Sequence, residues 1–213
     1  MPEGPEVYIL SKALKDLAFE TKSIGKHLLL TDWNNGEKLD YSFGLVGKIF
    51  LKDDMSIEKI TNPLIPSGNI STFQESKTNL GIDWMMASKE DLEVVVKSWL
   101  NRKKQIGALL LDQSEIAGIG VAWASEILFD CKISPTIKAN MFTFLNLKDK
   151  FLDSLVSVRD KIKKIYCNFL AKSTDKKLFV NQWFNNLYTQ REPYMKIYKK
   201  GSEVKVSGRL FYE

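Results

Sequence analysis

A chain of 213 residues has room for one large domain or two modest ones. Its 44% hydrophobic content excludes wholesale disorder, and no apolar run reaches the roughly 18 residues that span a bilayer. Two cysteines cannot staple a disulfide scaffold, one histidine leaves no convincing metal constellation, and a net charge of +5 is only mildly basic. With no signal-peptide pattern at the start, the expectation is a soluble intracellular protein that needs no metal and no cofactor.

The first element reads as a helix. Val7, Leu10, Ala13, Leu14 and Leu17 recur at spacings of three and four, and Pro5 suits a first turn, where its missing N–H costs nothing. From 26 to 51 short apolar runs are broken by Asn34-Asn35-Gly36, Gly44 and Gly47, which predicts strands with a hairpin at the Asn-Gly pair. Residues 52–77 are polar, hold Pro63, Pro66 and Gly68, and carry no firm pattern. Ser88 and Asp91 then form a capping box ahead of Leu92, Val95, Val96, Trp99 and Leu100. Further helical signals cover 105–111 and 121–131. The longest takes in Leu147, Phe151, Leu155, Val158, Ile162 and Ile165.

The last twenty residues alternate like strands around Lys200-Gly201, with 195–198, 204–206 and 210–212 as the expected hairpin. The chain therefore reads as α+β: a domain over 1–86 with a helix and a small β-sandwich, then a helical domain over 87–213. The closing hairpin occupies about 194–213. Basic residues cluster in 158–177, where Arg159, Lys161, Lys163, Lys164, Lys172, Lys176 and Lys177 face only Asp160 and Asp175. A second cluster, Lys196, Lys199, Lys200, Lys205 and Arg209, faces only Glu203. Such clusters suit phosphate contacts as well as they suit a solvated helix face.

The sharpest signal is the opening Met-Pro-Glu-Gly-Pro-Glu. Removing Met1 exposes the secondary amine of Pro2. An α-amine titrates near about 8, well below the roughly 10.4 of lysine, so a useful fraction is nucleophilic near neutrality. Attack on a sugar C1′ displaces a base and leaves a Schiff base, which acidifies the neighbouring sugar hydrogens. Glu3 and Glu6 share a helical face beside that amine, where two carboxylates can divide acid and charge-stabilising roles. Acids at a helix start also simply complement the macrodipole.

The hexapeptide resembles that of the formamidopyrimidine-DNA glycosylase and endonuclease VIII family, and further motifs follow in the family's order. Gly25-Lys26-His27-Leu28-Leu29-Leu30 is similar to its lysine-bearing strand, and Ser42-Phe43-Gly44-Leu45-Val46-Gly47 to its His-Leu-Gly-Met-Ser-Gly turn. Leu110-Leu111-Asp112-Gln113 with Gly118-Ile119-Gly120-Val121-Ala122-Trp123-Ala124-Ser125-Glu126-Ile127-Leu128 resembles its helix-two-turn-helix, and residues 207–212 resemble the tip and final strand of its zinc finger.

The resemblance implies Pro2 as nucleophile, Glu3 as the group that protonates or stabilises the opening sugar, and Glu6 as the group that orients it. Lys26 would contact phosphates and assist elimination. DNA would be met by Leu45, by Gly118, Ile119, Gly120 and Val121, and by Arg209 at the lesion. His27 reads as an ordinary strand residue.

Departures from the family matter too. The finger lacks its four cysteines and would be zincless. Val121 stands for an asparagine and Ser42 for a phosphate-binding histidine, and no segment supplies the arginine and phenylalanine that fill the gap left by a flipped base. Leu45 is then the remaining wedge. The implied activity is a monomeric, bifunctional glycosylase and strand-cleaving lyase. Oxidised pyrimidines or hydantoins would be its bases and damaged DNA its partner, with a preference for single-stranded or bubble substrates, where flipping costs less. Two alternatives stay open: a non-catalytic DNA- or RNA-binding protein, and a degenerate glycosylase that recognises damage without processing it.

Overall fold

In the computed structural model, which describes residues 2–31, 36, 38–43, 48–60, 70–72 and 79–213, helix α1 (Gly4–Asp16) begins where the apolar spacing puts it. Glu3 is its N-cap and Pro5 lies in its first turn. Val7, Leu10, Ala13 and Leu14 form the wholly buried stripe. The helix stops at Leu17, and Ala18 follows with a left-handed φ of 66°.

Strands β1 (Thr21–Ile24) and β2 (His27–Thr31) pair antiparallel through the two-residue turn Gly25-Lys26. Gly25 takes a φ of 57°, the reason a glycine is wanted at that corner. β3 (Lys38–Ser42) continues the sheet, β4 (Lys48–Leu51) and β5 (Ile57–Ile60) make a second two-stranded one, and β6 (Ile70–Thr72) returns to the first. The order of the first sheet is β1-β2-β3-β6. Alternation along β2 buries Leu28 and Leu30, and the same face carries Thr21, Ser23 and Tyr41. The expected Asn34-Asn35 turn and Leu45 lie outside the described residues, as do 61–69 and 73–78.

A short parallel pair, β7 (Ile82–Asp83) with β8 (Ile116–Ala117), precedes and interleaves with helices α2 (Lys89–Trp99) and α3 (Ile106–Leu110). Ser88 caps α2 through the predicted box with Asp91. α4 (Val121–Asp130), α5 (Met141–Phe144), α6 (Lys148–Lys172) and α7 (Lys176–Arg191) follow, and the hairpin of β9 (Glu203–Val206) and β10 (Arg209–Tyr212) ends the chain. Among the described residues the sheets are small and none closes. The fold is α+β, as the pattern predicts.

The hairpin turn falls at Ser207-Gly208, both with positive φ, between the strands expected at 204–206 and 210–212. One expectation is corrected: residues 195–198 form no strand, because the amides of 196–198 are engaged by a carboxylate instead of a ladder. Helix α7 has no counterpart in the sequence reading. Its buried positions Phe179, Val180, Trp183, Leu187 and Arg191 are blurred by the exposed Leu178 and end in a cation.

The chain divides into two compact units, each made of two stretches. One is Met1–Asn79 with Lys163–Glu192, and the other is Leu80–Ile162 with Pro193–Glu213. No helix among the described residues is long and apolar enough to cross a membrane.

Candidate active site

Within the first unit the chemistry-bearing start of the chain is buried. Pro2 and Glu3 precede α1, and Glu6 occupies its first turn with no exposed surface. A capping box joins the two acids. Glu3 N–H donates to Glu6 Oε2 at 2.9 Å, and the Glu3 carboxylate faces the Glu6 N–H in return.

Glu6 gathers more than a cap requires. Its Oε1 accepts the Tyr166 hydroxyl at 2.8 Å from α6 and the Arg191 guanidinium at 3.0 Å from the end of α7. Tyr166 is 1% exposed and Arg191 2%, so the ion pair lies in the core. Burial, and after it the Glu6 charge, pushes the Tyr166 hydroxyl well above the ordinary tyrosine value and keeps it a proton donor. Each Glu6 oxygen is thus met by a donor, as a buried carboxylate demands. This acid fixes backbone. It joins residue 3 to residues 166 and 191.

Lys26 sits half-buried at the second position of the β1–β2 turn. The neighbouring His27 is anchored: Nδ1 lies 2.8 and 3.1 Å from the two oxygens of Asp40, itself 7% exposed. Ser42 is the cross-strand partner of His27, so both belong to the sheet face opposite Leu28 and Leu30. The single histidine is held more firmly than an ordinary strand residue.

In the second unit, Gly118-Ile119-Gly120 runs straight into α4, with Gly120 as N-cap. Gln113 braces this loop. Its amide nitrogen donates to the carbonyls of Leu111 (3.1 Å) and Ile119 (2.9 Å), and its oxygen accepts the Gly118 N–H at 3.0 Å. Gly118 takes a φ of 100°, which only glycine adopts easily. The Ile119 side chain is wholly in the core, Gly120 is buried and Val121 is half-buried. Any phosphate contact by Ile119 is therefore left to its backbone. Arg209, the first residue of β10 beyond the Ser207-Gly208 turn, is exposed.

The hairpin is tied to α4 by a second buried acid. Glu126, 6% exposed, accepts the N–H groups of Lys196 (2.8 Å), Ile197 (2.9 Å) and Tyr198 (2.9 Å). Ser125 Oγ accepts the Tyr212 N–H at 3.2 Å, and Tyr198 packs edge-on against Tyr212. No group of three His, Cys, Asp or Glu suited to a metal occurs among the described residues.

Of the residues singled out from sequence, Pro2, Glu3 and Glu6 come together. Lys26 lies in the same unit, and Gly118 to Val121 and Arg209 lie in the other. Sequence reasoning missed Tyr166 and Arg191, and it met Glu126 within the helix-two-turn-helix motif without giving it a role. The first two stand some 160 and 185 positions from Glu6, a separation no local pattern bridges. Only the cation at the end of the α7 apolar spacing hints at a buried partner.

The chain is similar to known proteins in part of its sequence and in its fold. Residues 80–163 match the model of the formamidopyrimidine-DNA glycosylase H2TH domain, where H2TH is the helix-two-turn-helix. Over 95 residues the chain is 35% identical to the formamidopyrimidine-DNA glycosylase of Lactiplantibacillus plantarum, a match covering 43% of this chain and 34% of that protein. The matched sequence thus spans about a third of that relative's length. The MutM (Fpg) protein from Thermus thermophilus superposes with a TM-score of 0.75 at 16% identity, covering 99% of this chain and 96% of that one. A complex between the Lactococcus lactis Fpg and an abasic-site-containing DNA gives 0.70 at 15%, covering 99% and 97%. At such identities these structures show a shared fold. Residues 80–163 thus resemble the H2TH domain of formamidopyrimidine-DNA glycosylases, and the chain shares the fold of the MutM (Fpg) and Fpg structures.

Proposed function

We propose that the protein is a bifunctional DNA glycosylase and abasic-site lyase whose nucleophile is the Pro2 amine, freed by removal of Met1. The observation that carries this reading is the burial of Pro2 at the start of α1, beside two glutamates, of which Glu6 accepts the Glu3 N–H and is itself held by Tyr166 and Arg191. The amine attacks C1′ of the damaged nucleotide, the base leaves with a proton, and a cationic imine remains. Glu3 supplies the proton for the opening sugar oxygen. Loss of a C2′ proton then expels the 3′-phosphate, and a further elimination expels the 5′-phosphate, with Lys26 assisting. Water hydrolyses the imine and restores the amine.

In this reading DNA is held by phosphate contacts at Lys26, by the backbone of Gly118-Ile119-Gly120-Val121 at the N-terminus of α4, and by Arg209. Leu45 is the wedge that replaces the flipped base. Oxidised pyrimidines and hydantoins are the favoured bases, and poorly stacked or single-stranded DNA the favoured context, because fewer side chains fill the vacated stack.

The test is excision and strand cleavage of a hydantoin-bearing oligonucleotide, single-stranded and in duplex. Excision with β,δ-cleaved ends, faster in the single strand and weakened or abolished in Pro2→Gly, supports the reading. A strong duplex preference overturns the context assignment, and intact oligonucleotides overturn the enzyme reading.

A further inference from the structure

The backbone that presents the amine is fixed by a negative charge. Glu6 Oε2 lies 2.9 Å from the Glu3 nitrogen, and only the Pro2 Cα and carbonyl carbon separate that nitrogen from the Pro2 nitrogen. Covalent geometry keeps the two nitrogens within about 3.7 Å, so the amine lies within about 7 Å of a buried carboxylate oxygen. A lone carboxylate at that range favours the protonated amine, which cannot attack carbon. Yet Glu6 is not alone: Arg191 places a cation on its other oxygen at 3.0 Å, and the pair is neutral as a whole.

Stability gives little reason for such a pair. Buried ion pairs are often matched or bettered by apolar side chains of similar volume. The α7 spacing Phe179, Val180, Trp183, Leu187 would continue naturally with one, but position 191 is arginine. We propose that Arg191 and Tyr166 are positioning residues for the Pro2 amine: they let Glu6 immobilise the reacting end of the chain while cancelling the charge that would hold a proton on the nucleophile. This inference rests on the amine reading above.

Among the described residues, the charged and titratable groups recorded in contact with the first two turns of α1 include members of three helices. Glu3, Glu6 and Tyr8 belong to α1 and its cap, with Lys12 and Lys163 both over the Tyr8 ring at 5.5 and 4.9 Å. Tyr166 comes from α6 and Arg191 from α7. The buried positions of β1 and β2 are Thr21, Ser23, Leu28 and Leu30, none of which titrates near neutrality.

The test is single-turnover reductive trapping of Met1-free protein on abasic-site DNA across pH 5.5 to 9, with DNA affinity and thermal melting measured alongside. In Arg191→Gln the rising limb of the rate profile moves about one unit to higher pH, and trapping at pH 7 falls about tenfold, while DNA affinity stays within about twofold. Arg191→Lys, which keeps the charge, returns the limb toward wild type. Tyr166→Phe leaves the limb in place and lowers the plateau several-fold. A wild-type limb in folded Arg191→Gln overturns the charge-cancelling role. Should Arg191→Gln not fold, Tyr166→Phe decides, and a wild-type plateau there overturns the proposal. These outcomes differ from failure of the amine reading, in which Met1-free protein with no substitution forms no adduct at Pro2.

Discussion

Each unit of the molecule has a buried glutamate that gathers several donors, Glu6 in the first and Glu126 in the second, and the two are satisfied differently. Glu6 is met by a backbone N–H, a tyrosine hydroxyl and a guanidinium, whereas Glu126 is met by three successive backbone N–H groups. Glu126 suits a purely architectural task. Its carboxylate takes the amides that a strand would have used and sets the chain on course for the hairpin carrying Arg209. Glu6 has a costlier arrangement, with a full positive charge drawn from the far end of α7 into the core. Amides suffice to hold backbone, so a buried cation calls for another explanation. Here it is the electrostatics of the neighbouring amine.

The largest effect that could break this comparison is Glu6→Ala. It removes the buried carboxylate that Arg191 meets at 3.0 Å, and thermal or urea unfolding should show a loss of about 3–5 kcal/mol. Glu126→Ala removes the acceptor of three part-buried amides that water can partly replace, and should cost less, about 2–3 kcal/mol in the same measurement. A smaller loss at Glu6 than at Glu126 would mean that the ion pair is not the more demanding of the two. Smaller again is Arg209→Ala, an exposed turn-end change that should leave unfolding within about 0.5 kcal/mol of wild type while weakening damaged-DNA binding in a titration at fixed salt.

The smallest effect concerns Cys131, in the second unit. Burial pushes its thiol up to about 12. Because the folded value lies above the unfolded one of about 8.5, its contribution to stability is complete below that pH and is lost as pH climbs toward 12. At pH 8 an aromatic disulfide reagent should leave Cys131 unreacted in the folded protein and label it once urea is added; rapid labelling without urea would contradict the burial.

How far the sequence can be read depends on how local the physics is. Helix α1 is legible because its stripe repeats every three or four residues and Pro5 and the acids mark its start. The α2 capping box is legible for the same reason, since Ser88 and Asp91 lie three apart. The closing hairpin is legible because its two short strands flank Ser207-Gly208, whereas 195–198 is misread as a strand because only Glu126, some seventy residues upstream, takes the amides of 196–198. Helix α7 is illegible because its buried stripe is crossed by an exposed leucine and ends in a buried arginine. At the site, one hexapeptide singles out Pro2, Glu3 and Glu6. It says nothing of Tyr166 and Arg191, because the contacts that give them meaning exist only after α6 and α7 fold back onto α1. His27 reads as an ordinary strand residue because nothing in its neighbourhood of sequence announces Asp40, thirteen positions on.

Everything at the site turns on whether the first residue of the processed chain bonds covalently to a deoxyribose carbon. The most direct measurement is peptide mapping by mass spectrometry after reduction of the protein in the presence of an abasic-site oligonucleotide, using protein whose loss of Met1 has been verified. A reduced sugar adduct is expected on the peptide beginning at Pro2 and on no other. An adduct on Lys26 or another lysine with Pro2 unmodified, or no adduct at all, would contradict it.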